Sequence, residues 1–166
     1  MYGLVVESID ADHCVATWDR VVLSCFRGRM SAASVGEMRH AARTLERSAP
    51  KGVALCFVSV VERSSPPPPD DVRRDLSEFF RSVQPTMAQI IIVPEGGGFR
   101  AALVRGVGVA LSTLAPKALP FSFADTVPAA CRLVEPHLSP AAGGATNLAN
   151  VVEQLRRSVG KHATRE

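Results

Sequence analysis

A single α/β domain built on a mixed β-sheet is the fold this chain predicts, and three observations carry the prediction. Three short strand-like runs crowd the first 28 residues. The remainder alternates helical periodicity with Val- and Ile-rich runs. The chain has 166 residues, 46% of them hydrophobic and 21% charged, which suits one domain with two or three packed layers. A chain of this length buries roughly two-thirds of its unfolded surface, so its core needs neither disulfide nor metal.

The elements follow in order. Leu4 to Ser8, Cys14 to Trp18 and Val21 to Phe26 have strand character, and turn-forming residues separate them at Asp10 to His13 and at Asp19-Arg20. That is the pattern of a meander. From Ser31 to Arg47 the period changes: Val35, Met38, Ala42 and Leu45 recur at helical spacing, and Ser34 with Glu37 has the spacing of a capping box. Ala49-Pro50-Lys51-Gly52 ends this helix. Val53 to Val61 is almost continuously apolar, as in a strand covered on both faces.

The prolines Pro66 to Pro69 cannot extend that strand. Pro69 before Asp70 and Asp71 suits a helix start, because proline lacks a donor that the first turn does not need and the acids complement the helix dipole. Val72, Leu76, Phe79, Phe80 and Val83 form the apolar stripe of this second helix. Gln89 to Val93 is the next buried strand, closed by Pro94-Glu95 and the glycines Gly96, Gly97 and Gly98. From Phe99 to Leu114 the only charges are Arg100 and Arg105, which predicts a mostly enclosed helix. A last strand at Leu119 to Phe123 and a helix at about Thr126 to Glu135 complete a domain spanning residues 1–136. A linker-like stretch, 137–146, leads to a terminal helix with a frayed tail, 147–166.

Strand, strand, strand, then helix and strand in alternation, resembles the STAS domain, the fold of the anti-sigma-factor antagonists and their SpoIIAA-like relatives, across roughly residues 2 to 136. The resemblance is one of topology. It implies a compact regulatory or scaffolding domain that works through protein contacts and performs no chemistry. In those antagonists a phosphorylatable serine follows the buried strand after helix one, in an Asp-Ser-Ser-Gly turn. The matching place here reads Glu62-Arg63-Ser64-Ser65-Pro66. The Asp and Gly are missing and a proline run replaces the helix start, which argues against the phosphorylation switch.

Composition excludes several other classes. A net charge of +3 from 19 scattered Lys and Arg, with 5% aromatic residues, lacks the basic face and stacking surface of a nucleic-acid binder. Cys14, Cys25, Cys56 and Cys131 sit among apolar neighbours without a C-x-x-C pair, and read as reduced core residues. No secretion signal is evident, and the longest apolar run, Gly106 to Ala115, is about half a membrane span. A cytoplasmic protein without cofactor, metal or membrane insertion is the expectation. Asp10, Asp12 and His13 read as turn formers and not as metal ligands. His13-Cys14 cannot pair as base and nucleophile, because a strand sends neighbours to opposite faces.

Two places are candidates for function. Open α/β sheets bind beyond the carboxyl ends of their parallel strands. Those ends carry Glu62, Arg63, Ser64 and Ser65; then Glu95, Gly96, Gly97, Gly98 and Arg100; then Asp125. This edge suits a partner protein. The alternative is a nucleotide or phosphate ligand, since Gly96 to Ala101 fits the G-x-G-x-x-G/A pattern between a strand and a helix, with Asp125 at the end of the next strand. The second place is the small-residue helix around Arg105 and Gly106, which could meet another copy of the chain and make a homo-oligomer.

Overall fold

Two tight turns build the first half of the sheet. In the computed structural model, which describes residues 3–96, 105–106 and 120–163, β1 (Val5–Ile9), β2 (His13–Trp18) and β3 (Val21–Phe26) pair antiparallel in succession. Only Asp19 and Arg20 separate Trp18 from its partner Val21. Asp19 takes φ +51°, a left-handed conformation that Asp tolerates better than most residues. Its carboxylate is buried, and Oδ2 accepts the Ser139 N–H at 2.8 Å across 120 residues of chain.

That tie makes a prediction. Asp19→Ala should lower unfolding free energy by about 2 kcal/mol, because it removes a charged acceptor and leaves a buried amide unmatched. Asp19→Asn keeps both an acceptor and the left-handed preference, so it should lose less than half as much. Urea titration checks this, and an Ala variant within about 0.5 kcal/mol of the parent, the scatter of neutral surface changes, would remove the tie from the account.

The remaining strands are parallel. β4 (Leu55–Val61), β5 (Met87–Pro94) and β6 (Phe121–Phe123) extend the sheet from β3, giving the spatial order β1-β2-β3-β4-β5-β6. Helix α1 (Ala32–Ser48) joins β3 to β4 and α2 (Asp70–Val83) joins β4 to β5. Both cover one face, where Val15, Val22, Phe26, Leu55, Phe57 and Ile90 meet Val35, Met38, Phe79 and Phe80. Helices α3 (Val127–Val134) and α4 (Gly144–Ala163) cover the other, where Cys14, Leu23, Val58, Val60 and Ile91 meet Cys131, Leu148, Val152 and Leu155. Strand alternation sorts each strand's residues between two cores. The four cysteines are buried and free.

Several boundaries differ from the sequence reading: β4 starts at Leu55 and not Val53, β5 runs Met87–Pro94 and not Gln89 to Val93, and the helix boundaries that differ do so for local reasons. The α1 cap is Ser31 and not Ser34. The Ser31 N–H donates to Ser34 Oγ at 3.0 Å and the Ser34 N–H donates to Ser31 Oγ at 3.2 Å, so two serines close the box. Glu37, one turn further on, is taken by β1 and β2. The 139–146 stretch contains a 3-10 turn, Pro140–Ala142, with Ser139 and Ala142 buried, and α4 starts at Gly144 instead of Asn147. Most of the expected helix from Phe99 to Leu114, and with it the proposed contact between copies, lies outside the described residues. Among the described residues no helix is long and apolar enough to cross a membrane.

Candidate functional site at the carboxyl ends of the parallel strands

Register brings the site together. Phe26, Val61 and Pro94, the last residues of β3, β4 and β5, are aligned partners across the sheet. The next residue in each case is charged: Arg27, Glu62 and Glu95. Arg27 grips Glu62 with both arms of its guanidinium, Nε to Oε2 at 2.8 Å and Nη2 to Oε1 at 3.0 Å, the geometry of the stronger ion pairs. Arg156 reaches across from α4. Its Nε lies 3.3 Å from Glu62 Oε1, Nη2 2.7 Å from Glu95 Oε2 and Nη1 3.0 Å from Glu153 Oε1. Arg27 Nη2 in turn donates to the Arg156 carbonyl at 3.3 Å.

The two central carboxylates answer differently to this setting. Burial pushes Glu62 up, but the guanidiniums of Arg27 and Arg156 outweigh it and hold its carboxyl below the ordinary value. For Glu95 burial prevails over the pull of Arg156, helped by the negative charges of Glu62 and Glu153, and its carboxyl sits above the ordinary value. Cys25 Sγ donates to Glu62 Oε1 at 3.8 Å. Its thiol is pushed far up, first by its hydrogen bond with Cys14 and then by burial, so it stays protonated and is a poor nucleophile. The group is a clasp: every charge in it faces another, and it locks α4 to the sheet.

The other predicted residues divide around this clasp. Ser64, exposed, donates from Oγ to the Arg27 carbonyl at 2.7 Å; Ser65, 1% exposed, donates to the Gly28 carbonyl at 2.8 Å. Both serines staple the segment after β4 to the one after β3. Arg63 is exposed and crosses over Gly96, which turns at φ +103°; a Cβ there would meet Arg63 Cγ and Nε at 3.4 Å. Asp125 pairs with Arg105, Nη2 to Oδ1 at 2.6 Å, at an exposed position. Gly97, Gly98 and Arg100 lie outside the described residues, as does most of the glycine loop.

Sequence reasoning missed Arg27, Glu153 and Arg156. Arg27 carried a readable signal, a charge directly after an apolar strand; Arg156 carried none, since its role depends on how α4 is rotated on the sheet. A second polar cluster was also missed. His13, 5% exposed and stacked on Phe26, has Nε2 2.5 Å from Glu37 Oε2 and Nδ1 3.1 Å from Asp10 Oδ1. A bulge between Val6 and Ser8 turns Ser8 onto the α1 face. There its hydroxyl donates to Glu37 at 2.6 Å. The serine proton is directed at the carboxylate, and the two acids flank opposite ring nitrogens, so the cluster is neither a nucleophile with its base nor a convergent metal set.

An apolar cavity of about 60 Å³ lies beneath Pro66 and Pro68, between α1, α2 and the sheet. It is far below the few hundred Å³ of a typical ligand pocket. In comparisons with known proteins, the chain matches no protein family, no curated protein and no solved structure.

Proposed function

We propose that this chain is a non-enzymatic regulatory or scaffolding domain of the STAS type, acting in the cytoplasm through protein contacts at the carboxyl edge of its parallel strands. The observation that carries the reading is the clasp. Glu62, Glu95, Arg27 and Arg156 occupy the edge where an α/β sheet would bind a ligand, and they spend their charges on one another. Among the described residues the edge offers outward Arg63 and Ser64, exposed on a segment stapled to its neighbour, and Asp125, exposed in its pair with Arg105. A fixed, solvent-facing polar strip of this kind suits a partner surface, and the chain order of the strands and helices supports the family assignment.

A thermal-shift screen with nucleotides and phosphorylated metabolites tests the proposal. No ligand should raise the melting temperature by more than about 1 °C, within the effect of a fraction of a kcal/mol on a chain of this size. A rise of several degrees that Gly97→Glu abolishes would establish the glycine loop as a ligand site and overturn the reading.

A further inference from the structure

The exposed face of α1 holds a row of cations that no carboxylate among the described residues pairs with. At 100° per residue, Gly36, Arg39, His40, Arg43, Glu46 and Arg47 fall within an arc of about 120°, and these six residues line one groove. Among the described residues Arg27, Arg73, Arg105 and Arg156 pair with carboxylates, whereas Arg39, Arg43 and Arg47 do not. Arg47 turns back on its own helix, to the Arg43 carbonyl and Thr44. Arg39 Nε is buried with no hydrogen-bond partner, although a guanidinium donor shut off from water ordinarily has an acceptor. Like charges four residues apart repel along a helix, and the groove sets a single acid, Glu46, against its three arginines.

Gly36 opens this row, one turn before Arg39. Its added Cβ would meet nothing within 4 Å and its φ is not left-handed, so neither packing nor backbone geometry calls for glycine. A glycine there keeps the helix surface low just before the first arginine of the row, Arg39. We infer that this face of α1 docks an acidic helix of a partner protein. The spacing fits: guanidiniums four residues apart rise about 6 Å each along α1, the same interval as acids four residues apart on a second helix, and the dip at Gly36 admits a close backbone.

The inference builds on the protein-interaction reading and adds the surface and the chemistry of the partner. The test uses the full chain and a synthetic helix of about 20 residues, long enough to hold helical structure in water, with Glu at every fourth position. Its comparators are a scrambled peptide of equal composition, a short DNA duplex, and phosphatidylcholine vesicles containing phosphatidylserine. The ordered peptide should bind at least about tenfold more tightly than the scrambled one, a difference of register and not of charge. Arg43→Glu and Gly36→Gln should each cost about tenfold with unchanged circular dichroism, while Arg132→Glu on α3 should cost nothing. Equal binding of the two peptides, absence of saturable binding, or tighter binding of the duplex or vesicles would overturn the inference. None of these outcomes touches the domain's reading as a protein-binding module, which falls only to the nucleotide-induced stabilisation described above.

Discussion

Glu62→Gln should lower the unfolding free energy by about 3 kcal/mol, while Glu95→Gln, a few ångströms away on the same arginine, should change it by less than about 1 kcal/mol. The contrast follows from what each carboxylate does for its neighbours. Glu62 has a side chain only 11% exposed and receives both arms of Arg27 as well as Arg156. Removing its charge leaves Arg27, partly shut off from water, without a carboxylate, and leaves Arg156 with Glu95 and Glu153 only; breaking one partner of a buried pair typically costs about 3–5 kcal/mol. Glu95 meets Arg156 alone at the rim, and burial disfavours its charge. An amide there keeps an acceptor for Arg156 and discards the unfavourable ionisation. At this chain length about 3 kcal/mol is roughly 10 °C in melting temperature, so calorimetry separates the two variants. Equal losses would mean that the clasp does not centre on Glu62.

The same pair sets the direction of the acid response. Glu62, held below the usual 4.5, contributes stability that is complete above that value and is lost as pH falls through its lowered folded pKa. Glu95, held above 4.5, opposes folding when ionised, and that opposition is relieved as pH falls through its raised folded pKa. On acidification stability should therefore hold or rise slightly before it drops. Glu95→Gln should erase the first phase and Glu62→Gln should weaken the second.

What sequence could read and what it could not are divided by distance along the chain. β3 was legible to the residue, because Val21 to Phe26 is bounded by a two-residue turn and a charge. The start of α2 was legible because Pro69 followed by Asp70 and Asp71 states its chemistry within one turn. That Glu62 and Glu95 lie after aligned strand ends follows from parallel order alone. The meaning of that edge was not legible: the contacts that turn these acids into a clasp run over 94 and 61 residues to Arg156, and no local period encodes the rotation of α4. Glu37 shows the same failure in reverse. Its spacing from Ser34 satisfied a local rule, and a contact with His13, 24 residues earlier, overrode it.

The largest loss of all should come from Phe57→Ala, about 4 kcal/mol, because this residue joins three kinds of packing at once. On β4 it sits in register with Val22 and Ile90 on the neighbouring strands, so truncation opens the centre of the sheet and not an edge. Its ring meets Phe79 and Phe80 edge-on, each at 5.7 Å between centroids, and Phe80 passes the contact on to Phe121 at 5.0 Å; such pairs add to simple burial. It also walls the cavity of about 60 Å³ under the proline segment, so the space left by the ring merges with space already there instead of collapsing. Cavity growth is what makes a large-to-small change expensive. Phe57→Leu, which retains most of the volume, should cost about 1.5 kcal/mol. The enlarged space supplies its own check: lined mostly by apolar side chains, Met30, Met38, Phe26 and Leu76 among them, with Ser59 and Ser65 its polar ones, it should admit benzene. Benzene should then raise the melting temperature of Phe57→Ala and leave the parent unchanged. A variant that loses about 4 kcal/mol yet ignores benzene would show that α1 and α2 close over the gap, and that the proline segment is not a rigid roof.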